Sequence, residues 1–228
     1  MREVALDTET TGLDPETGDR IVEVACVELI NHQPTDRYYH AYINPMRSMP
    51  EEAQKIHGLS SEFLADKPVF AEIADDFLEF IGDAPLVIHN AAFDMKFLNA
   101  ELKRCNRPLL PDSRAVDTLK IAQQRYPGAR NSLDALCQRF SIDNTHRTFH
   151  GALLDTRLLA EVYLELNGGR EPGFALLASE TSASGVSVTQ IVVNRPFREP
   201  RPHAPLAEEL AAFEAFVAKI PDALWLKS

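Results

Sequence analysis

The sequence predicts an α/β fold: a mixed sheet that starts antiparallel and continues parallel, with helices on both faces and a tail ending in an amphipathic helix. Three observations carry this reading. Three β-prone runs joined by turn residues lead from Val4 to Asn44. From Phe70 to Leu166, helical periodicity alternates with short apolar runs, the order that builds parallel strands. After Gly168-Gly169 the composition shifts to Ser, Thr, Gly and Pro, and the apolar periodicity stops until Leu206.

Val4-Ala5-Leu6 is an apolar strand, and Arg20 to Ile30 is a second in which Glu23 and Glu28 interrupt the apolar run. Asp14-Pro15-Glu16-Thr17-Gly18-Asp19 between them is turn chemistry, so the two form an antiparallel hairpin. Asn31 to Pro34 makes the next turn, and Tyr38 to Asn44 alternates as a third strand. Pro45 to Ser60 reads as irregular, with a short helix near Pro50 to Ala53. Ile73, Ala74, Phe77, Leu78 and Ile81 mark a helix over Phe70 to Ile81, before the buried strand Pro85 to Ile88. Ala91 to Cys105 is helical through Phe93, Phe97, Leu98 and Leu102. A strand over Arg114 to Asp117 feeds a helix through Gln124, and Asn131-Ser132 caps another running to Phe140. Thr156 to Leu166 is a long apolar-faced helix closed by the two glycines.

The 228 residues can hold one substantial core, with 45% hydrophobic and 25% charged residues typical of a globular chain. No apolar run approaches the roughly 20 residues needed to cross a bilayer, and the first strand begins too early to leave room for a signal peptide. Cys26, Cys105 and Cys137 are odd in number and lack metal spacing, so reduced thiols in a cytoplasmic setting are expected. A net charge of -11 argues against a broad nonspecific nucleic-acid-binding surface. It does not exclude a nuclease, because a site built from carboxylates is acidic until its metals bind.

The chemistry concentrates in four acids and a histidine. Asp7 and Glu9, in Asp7-Thr8-Glu9-Thr10-Thr11-Gly12-Leu13, project from one face of a strand, and a divalent cation with oxygen ligands relieves their repulsion. Asp94, in His89-Asn90-Ala91-Ala92-Phe93-Asp94, opens a helix after a strand end, where ligands gather in α/β sheets. The alternative is an acid that favours the helix dipole. Asp155, among Leu153, Leu154, Leu158 and Leu159, points into a site rather than the core, and His150 stands before Gly151 at the entrance of that helix. A lone histidine in such a loop can also be merely solvated.

Together these residues resemble the DEDDh family of 3′→5′ exonucleases: Asp7-x-Glu9, Asn90-x-x-x-Asp94 and His150-x-x-x-x-Asp155 stand in the family's order. No one of these patterns is specific alone, but the three in order are. The phrases DTETTGL, VIHNAAFD, RNSLDALC and HGALLDT, with Asp66-Lys67-Pro68-x-Phe70-Ala71-Glu72, extend the likeness to the epsilon, or proofreading, subunits of bacterial DNA polymerase III. The likeness covers residues 1 to about 169 and thins in the tail.

The resemblance implies a ribonuclease H-like sheet and two divalent ions, Mg²⁺ or Mn²⁺, about 3.5–4 Å apart. Asp7 would bridge them, Glu9 and Asp155 hold one, and Asp94 bind the other through water. His150 would remove a proton from the attacking water. The family also implies that Glu52, His57, His89, Asn90 and the backbone of Thr8 and Thr10 contact the terminal nucleotide, while Leu13 wedges between the last bases. The implied substrate is a single-stranded or frayed DNA 3′ end, and the implied setting is the bacterial cytoplasm, with the nucleoid-associated replisome.

The expected organisation is an exonuclease domain over 1–169, a flexible linker over 170–205 with a β-prone run at Val186 to Val193, and a polymerase-binding tail over 206–228. Leu210, Phe213, Phe216 and Val217 make Leu206 to Ile220 amphipathic, ahead of Trp225. On residues alone this helix either packs on its own core or docks on a partner. The resemblance makes the partner the polymerase III α subunit, with Phe213, Phe216 and Trp225 in contact. The sliding-clamp motif of epsilon subunits is altered here: Gly168-Gly169 is followed by Arg170-Glu171-Pro172-Gly173-Phe174 without the leading Gln, which implies at most a weak clamp contact. Alternative readings are a DEDDh exonuclease of RNA maturation or DNA repair, and a non-catalytic polymerase-binding module.

Overall fold

Alternation along the first strand explains why the sheet is covered on both sides. In β1 (Arg2–Thr10), Val4 and Leu6 turn to one face and Ala5 to the other, and all three are fully buried. The computed structural model describes residues 1–145, 150–169 and 206–220. Its sheet has the order β3-β2-β1-β4-β5, so β1 is central. β2 (Ile21–Ile30) pairs antiparallel with β1 and with β3 (Gln33–Tyr42), whereas β4 (Leu86–Ile88) and β5 (Ala115–Asp117) add on as parallel strands. The antiparallel start and parallel continuation match the expected mixed sheet.

β3 begins five residues earlier than the alternation suggested and ends before Asn44. Asn31 and His32 both take left-handed backbone angles (φ 51° and 66°), the geometry of a two-residue hairpin turn, so pairing resumes at once with Ile30 opposite Gln33. Glu23 and Glu28 are buried although charged, because each meets a partner on a neighbouring strand: His40 for Glu23, and Arg2 and Arg37 for Glu28.

Helix α1 (Glu51–His57) extends the short helix expected near Pro50 to Ala53, and α2 (Ser61–Leu64) follows where no helix was predicted. Ser60 caps α2 by accepting the Phe63 N–H, a signal that helical periodicity over so short a run does not show. One sheet face is covered by α3 (Phe70–Ile81) and α4 (Ala91–Arg104), whose Phe70, Phe77, Leu98 and Leu102 pack with Val4, Leu6, Cys26 and Ile88. Truncating a fully buried ring such as Phe77 would cost about 3–5 kcal/mol. The other face is covered by α7 (Ala152–Leu166), whose Ala160 and Tyr163 pack with Ala5, Val27 and Val87. α5 (Thr118–Arg125) and α6 (Leu133–Phe140) pack behind α7 through Ala122, Leu136 and Cys137. α7 starts one turn before the predicted Thr156, which brings Asp155 into its first turn.

Two devices hold α4 against the sheet. The Arg20 guanidinium grips the buried Glu101 carboxylate with Nε and Nη2, at 2.6 and 2.8 Å. Arg104 adds a bond from α4 to the Pro15 carbonyl at 2.8 Å. The three cysteines are free thiols, as expected. Helix α8 (Ala207–Val217), described by itself, carries the exposed side chains Leu210, Phe213 and Phe216. Among the described residues, no helix is long and apolar enough to cross a membrane.

Candidate active site

The site forms where three elements end on the same edge of the sheet. β1 delivers Asp7 and Glu9 on the α7-facing side, with Asp7 opposite Ala25 and Glu9 opposite Glu23. Directly after Glu9 the register slips, so that Thr10 pairs with Ile21 and Val22 is left over on β2. Such bulges re-aim side chains beside functional sites.

β4 runs parallel to β1, so the turn that follows it falls beside β1's C-terminal end. Asn90 takes a left-handed conformation (φ 69°) that turns the chain into α4 and sets Asp94 in its first turn. Asp94 is buried, and its Oδ1 accepts two hydrogen bonds from Thr8, from N–H at 3.1 Å and from Oγ1–H at 2.7 Å. Thr8, the residue between the two β1 acids, thus ties Asp94 to the strand that carries them.

α7 supplies the fourth carboxylate. The Thr156 hydroxyl bonds the Ala152 carbonyl at 2.6 Å and reaches the Ala25 carbonyl at 3.4 Å, so the helix lies close on β2 and the adjacent Asp155 is buried. His150 Nδ1 stands 3.5 Å from Asp155 Oδ2, with about half of the side chain exposed. Its main-chain N–H donates to the Ile56 carbonyl at 3.0 Å, so α1 anchors the segment that carries the imidazole.

The electrostatics are those of a site short of positive charge. Burial pushes the Asp7 carboxyl well above its ordinary value, and the charges of Asp94, Glu9, Asp155 and Glu23 push it further. Asp94 is raised to about 7 by burial, although its bonds from Thr8 pull the other way. One ligand atom from each of Glu9, His150 and Asp155 lies within 4.8 Å of the others. Carboxylate oxygens with one imidazole, packed so that they repel, fit a hard divalent cation.

Asp7, Thr8, Glu9, His89, Asn90, Asp94, His150 and Asp155 line one cleft of about 510 Å³. Four other predicted contacts do not line it. Thr10 is buried and donates its hydroxyl to the Gly12 carbonyl, Glu52 is exposed on α1, and Leu13 is exposed beyond the end of β1. Asp19 holds the loop that presents Leu13 by accepting bonds from Thr11, Asp14 and Arg47. A Cβ on Gly12 would come within 2.2 Å of Asp19 Oδ2, so any larger residue there would have to displace the carboxylate that ties this loop.

His57 is buried rather than presented to solvent. Its Nδ1 accepts the Leu59 N–H at 3.0 Å, and burial lowers its pKa. Conversely, Phe93, Leu119, Ser132, Leu133 and Asp134 line the cleft without having been predicted as contacts. Their local signals, apolar helix positions and a helix cap, are those of ordinary structure, and only the packing of α4, α5 and α6 brings them to the site. Phe213 and Phe216 are exposed on α8, while Trp225, Phe149, His146, His203, the residue 170–205 segment and its β-prone run lie outside the described residues.

The chain is similar to known proteins over most of its length. A family model described as Exonuclease (RNase T) matches residues 4–163. The DNA polymerase III subunit epsilon of Rickettsia felis is 50% identical over 223 residues, covering 96% of this chain and 97% of that one. The corresponding protein of Escherichia coli is 43% identical over 222 residues, covering 94% and 91%. Among solved structures, exonuclease X in complex with 5′ overhanging duplex DNA superposes with a TM-score of 0.56 at 26% identity, covering 72% of this chain and 89% of that one. The nuclease domain of 3′hExo, a DEDDh family member bound to rAMP, shares the fold with a TM-score of 0.62 at 18% identity, covering 73% and 92%. With its five-stranded mixed sheet and its match over most of the chain, this protein belongs to the RNase T-type exonuclease family and, within it, to the DNA polymerase III epsilon subunits.

Proposed function

We propose that this chain is a 3′→5′ exonuclease that removes mispaired nucleotides from a DNA primer end, as the proofreading subunit of the replicative DNA polymerase III in the bacterial cytoplasm. The observation that carries the reading is the meeting of Asp7, Glu9, Asp94, Asp155 and His150 in one cleft. Divalent metal ions belong to this family's chemistry, and we assign two, Mg²⁺ or Mn²⁺. Asp7, Glu9 and Asp155 would hold one of them, and Asp7 and Asp94 the other. When bound, such ions lower the pKa of water and stabilise charge on the attacking and leaving oxygens of an in-line displacement.

The chain's own groups do the rest. His150 is exposed enough to take a proton from the attacking water, and Asp155 beside it stabilises the imidazolium that results. Thr8 keeps Asp94 in place through both of its bonds. His89 and Asn90 floor the cleft, and the exposed Leu13 is free to wedge between the terminal bases. Glu52, His57 and the Thr10 backbone, which do not line the cleft, would contact the part of the nucleotide that extends beyond it. A mispaired end frays more readily than a paired one, and a terminal nucleotide must leave its duplex to enter such an enclosure.

Residues 1–169 form the catalytic unit in this reading, 170–205 connect it, and 206–228 bind the polymerase α subunit through Phe213, Phe216 and Trp225. Contact with the sliding clamp is at most weak in this reading. Tethering keeps the nuclease at high local concentration beside the primer end.

The test has two arms. The full chain is assayed on a primer with a mismatched 3′ end, with Mg²⁺, with Mn²⁺ and with chelator, beside an RNA of the same sequence. Metal-dependent shortening of the DNA from its 3′ end is expected, and preference for the RNA would overturn the proofreading role. Co-elution with the polymerase α subunit is expected for the full chain and not for Phe213→Ala/Phe216→Ala, and equal binding by both would remove the tail from the assignment.

A further inference from the structure

Glu23 is not one of the four acids, yet it is a buried carboxylate whose charge reaches them. It is 3% exposed and stands directly across the strand pair from Glu9. Its Oε1 lies 2.7 Å from His40 Nε2, with His40 on the neighbouring strand β3. Alternation puts Asp7, Ala25 and His40 in one cross-strand row, and Glu9, Glu23 and Tyr42 in the next, all on the same sheet face. The polar tier that begins at the cleft therefore continues under α7 to the sheet edge. There the Tyr42 ring meets both the His40 and Phe63 rings edge-on, with centroids 4.8 and 4.9 Å apart.

Like charges directly opposite on adjacent strands are destabilising, and burial removes the water that would screen them. His40 answers Glu23 from the outer side, while Glu9 faces the metal cluster on the inner side. The charge of Glu23 also reaches Asp7, whose raised pKa it helps to maintain.

We propose that Glu23 is a positioning residue of the metal site: a fifth carboxylate, held by His40, that stands against Glu9 and sets how tightly the Asp7, Glu9 and Asp155 cluster binds its divalent ions. The inference rests on the metal-dependent reading above and extends it to the shell behind the ligands. Groups that back a metal ligand without touching the ion commonly change affinity by about 10–100-fold when altered. Glu23 raises the negative potential at the cluster, and His40 stops the same carboxylate from turning away.

The experiment is a Mn²⁺ titration of the full chain, by calorimetry and by the EPR signal of free Mn²⁺. Glu23→Gln keeps the volume and an acceptor for His40 but removes the charge. It is expected to raise the Mn²⁺ Kd by about tenfold, with no fall in the melting temperature measured in chelator. The Mn²⁺ KM for hydrolysis should rise by the same factor while kcat at saturating Mn²⁺ holds. His40→Ala should weaken binding as well, and His40→Gln, which retains an N–H donor, should restore most of it. Parent-like affinity in Glu23→Gln, or an affinity loss matched by a loss of stability, would overturn the proposal. An unaffected His40→Ala would overturn it too. Failure of the parent chain to bind Mn²⁺ is a different result, and it would sink the nuclease reading itself.

Discussion

The two ends of β1 carry the same kind of group in opposite circumstances. At one end Glu3, 1% exposed, accepts the Tyr163 hydroxyl at 2.8 Å on one oxygen, and His32 Nδ1 stands 2.8 Å from the other. At the other end Asp7, on the same face of the same strand, is surrounded by the charges of Asp94, Glu9, Asp155 and Glu23. α7 spans both ends, giving Tyr163 to the first and Asp155 to the second. A buried carboxylate that accepts a bond from its own chain is a structural part. One supplied with further carboxylates marks a place reserved for something the chain does not encode.

Substitutions at the two ends should therefore differ in sign as well as size. Asp7→Ala is expected to abolish 3′-end hydrolysis while raising the melting temperature in chelator, since it relieves repulsion. Glu3→Ala should leave hydrolysis near that of the parent and lower stability by about 1–3 kcal/mol, because the buried Tyr163 hydroxyl loses its acceptor. Nuclease assays and thermal melts on both variants measure this directly. Equal effects on activity would erase the distinction.

His150→Ala should slow turnover by about 10²–10⁴-fold, the usual range for a general base, and leave Mn²⁺ affinity little changed. A large loss of affinity would make His150 a ligand first and a base second.

The contrast also has a pH signature. Asp94 is held up to about 7, and Asp7 is raised well above the ordinary carboxyl value of 3.8. Each binds its proton more readily in the folded chain than in the unfolded one. Their contribution to stability is thus fully present below 3.8 and is lost as pH rises through each folded-state value, which for Asp94 is about 7. In chelator the melting temperature should fall across that window, and saturating Mg²⁺ should remove the fall. A chelated protein that is as stable at pH 8 as at pH 5 would show that the acids are already compensated internally.

The smallest effect belongs to the well-supplied end. Tyr163→Phe removes one hydrogen bond and should cost about 1 kcal/mol in chemical denaturation, with no change in hydrolysis.

Much of this was legible in the residues, unevenly and for identifiable reasons. Phe70 to Ile81 was bounded correctly because its apolar stripe is strongly periodic, and α6 because Ser132 caps it through the Ala135 N–H. β3 was misjudged at both ends because its early residues, exposed at a sheet edge, carry no apolar alternation. α2 is a single turn, too short for periodicity to register. Of the cleft, the acids and His150 could be read because their spacing within short motifs is local. Phe93, Leu119, Leu133 and Asp134 could not, since nothing local distinguishes a cleft wall from a core face.

The sequence by itself determined the composition of the site: two carboxylates one pleat apart, a third at a helix start after a strand, and a fourth five residues beyond a histidine. Local geometry is enough for that, because strand alternation and helix starts follow from covalent structure. Only the tertiary structure decided that these pieces face one another. The parallel pairing of β4 with β1 put Asp94 against Thr8, and the approach of α7 to Ala25 put Asp155 beside the cleft. It also decided which buried acids meet a donor from their own chain, as Glu3 meets the Tyr163 hydroxyl, and which are left facing other carboxylates, as Asp7 is. Charge compensation is set by groups up to 160 residues apart in the chain, as Glu3 and Tyr163 show, so no window of sequence contains it.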